Sequence, residues 1–413
     1  GLGDVYKRQC STEWMRRNVN FTETMQTDFW TNSSVFPSTR EAALERLVEF
    51  EKTASRYGRE RNHVVPGHQN VSRLSPAIRH RLITETEVAK HILHRYAFST
   101  VEKFLQEVYW RRYWKSWLAL RPQVWTDYLR DLDALEVCEA ARKVIAGEGE
   151  VEIMNDFAHE LVETGYLHNH ARMWFAGYWI HAMGLPWQLG ADFFYQHLLD
   201  ADPASNTLSW RWVAGLQTRG KTYLARRTNI EKFLHPDLLQ GREGGLELLA
   251  NHQGLNPSAF IRPEIKEPVD NLLEVEPSLI SGFWLHSDDL SVDPKCHEVF
   301  LSEDLPASEV KAQWLREALD DVESRLTGYC VERAPITGLL AWAEKNKLAQ
   351  IIAYRPEIGV LNDQLAEIEK ALEKANVRLV LLSRGEDDEF RSLATAGFFG
   401  FWKKIESRIR AFQ

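Results

Sequence analysis

The chain has 413 residues, 44% hydrophobic and 26% charged, with a formal net charge of −9, the composition of a soluble globular protein long enough for two domains. The acidic balance excludes indiscriminate affinity for nucleic acid, so any DNA contact must come from a local basic patch. Four scattered cysteines without a C-x-x-C pair argue against a zinc site or an iron–sulfur cluster, and no apolar run approaches a membrane span; a cytoplasmic protein with no metal and no membrane contact is expected.

Residues 1–9, GLGDVYKRQ, read as non-native, and a polar arm with Trp14, Phe29 and Trp30 is expected to reach residue 35. Residues 37–41 are a helix start, capped by Ser38 or Thr39, with Ala43, Leu44, Leu47, Val48 and Phe50 as its buried stripe. Beyond Tyr57 comes the hydroxyl-rich turn Val71, Ser72, Arg73, Leu74, Ser75, Pro76, which reads equally as a phosphate cradle or as a plain helix cap. Thr84 and Glu87 have the spacing of a capping box. The next helix carries Phe104, Glu107, Trp110, Arg111, Tyr113 and Trp114, and taken alone Glu107 and Arg111, four apart, are a surface ion pair.

Residues 164–215 hold too many polar groups for an ordinary core. Asn169, Arg172 and Met173 share one face of a helix expected from near His168 to about Met183. Gly184 and Pro186 stop it, a second helix is expected over 189–199, and Asp200, Asp202 and Asn206 then crowd one turn. Buried charges cost several kcal/mol unless paired, so Arg172 is expected to pair with Asp200 or Asp202, leaving the unpaired groups to face a ligand. Downstream, Arg219, Lys221, Arg226, Arg227 and Lys232 are opposed only by Glu231, a basic rim suited to a phosphate backbone or simply a solvated loop.

Residues 241–277 turn acidic and Pro-dotted, as a linker would. The remainder alternates strands, expected at 280–285, 348–354 and 377–382, with helices at about 307–326, 335–346 and 361–375, which implies a small parallel sheet with right-handed crossovers. The expected layout is an arm to 35, a helical domain over 36–240, the linker, and an α/β domain over 278–413.

The ordered run Gly165, Tyr166, His168, Asn169, Arg172, Met173, Trp187, Asp200, Asp202, Asn206, Trp210 and Trp212 resembles the flavin-binding heart of the photolyase/cryptochrome family, roughly G-W-x-H-N-x-x-R-M, a Trp after a proline stop, D-x-D-x-A-x-N and W-x-W. The resemblance implies a mainly α fold with an all-helical FAD-binding domain. By it, Arg172 and Asp200 would pair beside the isoalloxazine, Asp202 would hold the ring edge and Asn206 would face the reactive central nitrogen. Tyr57, Ser72, Leu74 and Ser75 would surround the FAD phosphates. Phe104, Arg111, Tyr166 and Asn169 would complete the pocket. Glu107 would hydrogen-bond a lesion, Trp110 and Trp212 would stack on it, and Arg219, Lys221, Arg226 and Arg227 would meet the DNA backbone. Trp210 and Trp187 match the first members of the family's electron relay.

Tyr166 and Phe104 replace Trp, Val71 replaces Thr, and the segment 149–156 departs from the family's pattern. No Trp lies between Trp125 and Trp174, where the third relay member belongs, so a shortened or rerouted relay ending at Trp174, Trp179 or a Tyr is expected. Residues 284–290 faintly resemble the opening of the family's antenna domain, which would here follow the flavin domain in rearranged form, its pigment undetermined. Asn169 and Met173, where enzymes for the (6-4) photoproduct carry His, imply light-driven repair of cyclobutane pyrimidine dimers in UV-damaged DNA by a monomeric FAD enzyme. The alternatives are a blue-light photoreceptor of the cryptochrome kind and a flavin-binding structural module.

Overall fold

Thr39 begins the first helix, α1 (Arg40–Glu51), by accepting the Ala42 N–H on its side chain, and Ala43, Leu47 and Phe50 form the buried stripe. This computed structural model describes residues 36–218, 222–255, 263–266 and 273–413; the expected arm to residue 35 lies outside the described residues. The capping box at Thr84 and Glu87 opens α2 (Glu85–Arg95), and a 22-residue helix, α3 (Phe98–Ala119), runs through the middle of the molecule. Against it stand α4 (Pro122–Asp133), α5 (Glu152–Thr164), α6 (Asn169–Gly177), α7 (Trp187–His197) and α8 (Pro203–Val213). Gly165, in the left-handed region at φ 69°, ends α5 and lets the chain turn against Leu199, where a Cβ would sit 2.7 Å from the Leu199 side chain.

A five-stranded parallel sheet follows: β1 (Ser281–Leu285), β2 (Glu298–Ser302), β3 (Cys330–Ala334), β4 (Gln350–Tyr354) and β5 (Arg378–Leu382), in the order β3-β2-β1-β4-β5. The helices α9 (Glu309–Arg325), α10 (Leu339–Lys345) and α11 (Val360–Lys374) supply the crossovers. Sequence patterning does not reveal β2 and β3. β2 offers only three consecutive buried apolar residues, and the edge strand β3 is half-exposed throughout, so neither shows the apolar run expected of a parallel strand.

Alternation across the sheet divides its side chains between two cores. Trp284, Phe300, Ile351, Ala353 and Leu379 pack with Trp342 of α10, whereas Phe283, Leu285, Val299, Leu301, Ile352 and Val380 join the core of the helical part. After β5 the chain returns to the helical part as α12 (Gly385–Leu393) and α13 (Phe398–Arg410), with Phe398, Phe401 and Trp402 of α13 buried. No helix among the described residues is long and apolar enough to cross a membrane.

Candidate functional site

Between α3, α6, α8 and the loop at residues 71–75 lies a cavity of about 710 Å³, within the ~300–1,000 Å³ range of small-molecule and cofactor sites. Asn169, Arg172 and Met173 reach it from one face of α6, whose first N–H groups are capped by His168, Nδ1 accepting from the His170 N–H at 3.1 Å. The helix expected to run to Met183 is regular only to Gly177 and continues as one wide turn over Tyr178–Ala182.

Arg172 pairs with Asp200 rather than Asp202. Its two terminal nitrogens stand 3.0 and 3.1 Å from the carboxylate oxygens while Nε donates to the Leu167 carbonyl at 2.7 Å. Burial opposes the charge on Asp200, yet Arg172 and Arg111 together hold its carboxyl below the usual range. Asp202 is engaged elsewhere. One oxygen caps α8 by accepting the Ser205 N–H at 2.7 Å, and the other faces Lys115 at 3.5 Å and Arg79 at 3.9 Å. Against the penalty of burial, Lys115 and the two arginines Arg79 and Arg111 bring its pKa down to about 2. Asn206 donates to the Ala191 carbonyl at 2.8 Å from a buried position on the cavity wall.

The pair suggested by the spacing of Glu107 and Arg111 does not form. Glu107 is bound by Arg61, from a loop in which no sequence motif marks a role, and Arg111 turns to Asp200, donating to its carbonyl at 3.3 Å. Burial pushes the Glu107 carboxyl up despite Arg61. Trp110 lies against Phe398 of α13, ring centroids 3.8 Å apart and planes at 10°, so one indole face is already covered. Trp212, half-buried on the same cavity, leans on Tyr223 at 5.7 Å.

Tyr57 and Phe104 form an aromatic corner with Phe50, and Tyr166 is sandwiched between Phe36 and the Arg172 guanidinium. Ser72 and Ser75 border the cavity; Arg46 braces their loop by donating to the Ser72 and Val71 carbonyls at 2.9 and 3.1 Å. Leu74 is fully buried in the core and does not border the cavity, because the left-handed Arg73 (φ 58°) turns the chain inward there. Trp187 also lies away from it, stacked on Tyr128 at 5.4 Å, while Trp210 sits over Gly190 of α7 and 6.4 Å from Trp179.

The basic rim is dispersed. Arg226 donates to the His252 carbonyl at 2.7 Å, Arg227 pairs with Glu231 on its own helix at 2.7 Å, neither borders the cavity, and Arg219 and Lys221 lie outside the described residues. Sequence reasoning missed Arg61, Lys115 and a fully buried cluster beside the cavity, in which His68 contacts Glu160 at 2.5 Å and His168 stacks on His68 at 5.8 Å. Only the i, i+4 spacing of Arg111 and Lys115 on α3 could have signalled Lys115.

Four polar atoms of cavity-lining residues, Arg73 Nε, His168 Nε2, Ser205 Oγ and Asp200 Oδ1, are buried without a hydrogen-bond partner, the last having only its ion pair with Arg172. Such groups normally find one, and a polar aromatic ligand would supply it. With the Arg172–Asp200 fork, the Asn206 amide and walls of Trp and Tyr, the donor set fits a large flavin cofactor.

Residues 104–236 match a family model described as the FAD binding domain of DNA photolyase. A deoxyribodipyrimidine photo-lyase of Alkalihalophilus pseudofirmus is 29% identical over 189 residues, covering 44% of this chain and 39% of that protein. One from Streptomyces griseus is 28% identical over 221 residues, covering 49% and 47%. A cryptochrome DASH of Vibrio parahaemolyticus is 38% identical over 82 residues, covering 19% and 18%. Among solved structures, a bacterial class III photolyase from Agrobacterium tumefaciens superposes with a TM-score of 0.42 at 26% identity, over 50% of this chain and 44% of that one. The chain thus spans less than half the length of the curated relatives it matches.

Proposed function

We propose, from the premise that the helical part of this chain belongs to the photolyase/cryptochrome family, that the protein is a light-driven DNA repair flavoprotein acting on cyclobutane pyrimidine dimers. The observation that carries this reading is the meeting of Arg172, Asp200, Asn206, Asn169 and Met173 with Trp212 on one cavity. FAD, bound there in reduced form, would supply the electron that opens the dimer and recover it afterwards. The protein's own residues do the rest. Arg172, held by Asp200, would hold a polar edge of the cofactor, and Asn206, anchored through Ala191, would present its remaining amide atom to the ring. Trp212 and the aromatic walls would receive an extruded base and exclude water, extrusion costing only a few kcal/mol at a damaged site. Asn169 and Met173 offer no titratable proton donor to a lesion, which favours dimer splitting over chemistry that needs an acid there.

A second reading, a blue-light photoreceptor without repair, is favoured by one feature: Phe398 on Trp110 and Arg61 on Glu107 occupy groups that a lesion would use. An absorption spectrum of the purified protein followed by light-dependent repair of a dimer-containing oligonucleotide separates the two. Repair in the light alone is expected; a flavin-loaded protein that leaves the dimer intact would favour the photoreceptor.

A further inference from the structure

The segment between α12 and α13 is fastened to α3 and to the turn that follows it. Arg121 donates to the Ala394 and Thr395 carbonyls at 3.2 and 3.0 Å, and the Tyr113 hydroxyl donates to the Ala396 carbonyl at 2.9 Å. Phe398 then lies flat on Trp110 and Phe401 meets Tyr113 at 5.5 Å. Between these anchored residues stands Phe399, 62% exposed, the one phenylalanine among the described residues left so open, and it borders the 710 Å³ cavity. A ring on a fastened helix start is held in water although burying it would be favourable. The anchoring therefore holds a flat apolar surface at the mouth of a cavity whose wall also carries Trp212, Lys103 and Arg61. Aromatic rings beside cations are what single-stranded nucleic acid selects, because every base has a π-face and every phosphate a charge.

We propose that Phe399 is a substrate contact, stacking on an unpaired pyrimidine base of a DNA strand as it enters the cavity. This rests on the repair reading above and extends it to a residue from the far end of the chain. Phe398, by filling the adjacent face of Trp110, sets the ring's position.

The test compares the full-length flavin-loaded protein with Phe399→Ala and Phe399→Tyr, titrated with labelled oligonucleotides with and without a thymine dimer, alongside flavin absorbance and sedimentation. Phe399→Ala should weaken dimer-strand binding roughly tenfold, in line with the alanine cost of a base–aromatic stack, and undamaged-strand binding far less. Phe399→Tyr should restore it, and flavin content should be equal in all three. Unchanged dimer preference in Phe399→Ala would overturn this assignment and leave the repair reading standing. Absence of any dimer preference in the wild-type protein would remove both. Loss of flavin in Phe399→Ala, or self-association of the wild type that the variant abolishes, would assign the ring to packing or to a protein contact and overturn the proposal.

Discussion

Removing the Asp200 carboxylate would strand Arg172 beside the cavity with the Leu167 carbonyl and the Tyr166 ring as partners and no counter-charge. Breaking one side of a buried pair costs about 3–5 kcal/mol, more than losing the pair's net worth, because the other charge stays behind. Asp200→Ala is therefore expected to release most of the flavin on purification, measured as the flavin-to-protein absorbance ratio; a variant with unchanged flavin content would dissociate this ion pair from cofactor binding. Asp202→Ala should act differently. Its charge answers Lys115 and Arg79 and its oxygen caps α8, so its loss falls first on folding.

α7 carries two such local conflicts. At Gly190 an added Cβ would sit 2.3 Å from the Trp210 indole. Gly190→Ala should therefore cost about 1–3 kcal/mol through overpacking, read as a lower thermal midpoint. Two residues on, Asp192 is buried with only Gln196 as a hydrogen-bond partner, and burial pushes its pKa up to about 6 from 3.8. The unfolded chain releases that proton near 3.8 and the folded one near 6, so the stability contributed by the protonated form is full below 3.8 and lost as pH rises to 6. At pH 7.5 the penalty is ~3 kcal/mol, because each tenfold change in proton affinity between the folded and unfolded chain is worth about 1.4 kcal/mol. His197 on the same helix, with burial holding its pKa down to about 4, works in the opposite direction, and Tyr128 and Tyr195 stay neutral throughout. The difference between Asp192→Asn and wild type isolates Asp192. The variant should be the more stable above pH 6, the advantage vanishing near pH 4. A difference that does not change with pH would remove Asp192 as its source.

At the scale of the whole molecule, the helical part and the sheet are joined by buried charge as well as by apolar packing. Arg79 meets Asp288 at 2.6 Å, Arg81 meets Asp289 at 3.1 Å and Asp387 at 2.6 Å, and Arg112 bridges Glu357 at 3.0 Å and Asp387 at 2.9 Å. These acids gather around the carboxyl ends of β1 and β4, where the strand order reverses and open α/β sheets commonly bind ligands. A small pocket of about 10 Å³ lined by Arg81, Asp289, Glu357 and Asp387 lies there, room for one water. Arg112→Ala would leave Asp387 to Arg81 alone and Glu357 to Lys115 at 3.8 Å, and should destabilise by up to about 3–5 kcal/mol. Its thermal midpoint should fall while a surface control, Arg130→Ala, stays near wild type. Equal midpoints for the two variants would mean that the network contributes nothing to holding the parts together.

The sequence by itself determined what depends on neighbours in the chain. A cap at Ser38 or Thr39, the capping box at Thr84, the common face of Asn169, Arg172 and Met173, and the β/α alternation after residue 280 follow from periodicity and capping chemistry, which act over a few residues. The choice between Asp200 and Asp202 did not follow, since both lie within reach of Arg172 along the chain; Lys115 on α3 and Arg79 settled it by taking Asp202. Glu107 and Arg111 show the same limit, because correct helical spacing cannot reveal that Arg61 and Asp200 compete for each partner more strongly. Placing Phe398 and Phe399 at Trp110 and the cavity mouth required the return of the chain after β5, across nearly 290 residues. Local rules set which faces are apolar or charged. Which faces meet is decided by how the whole chain buries them, and in this protein that decision composed the cavity.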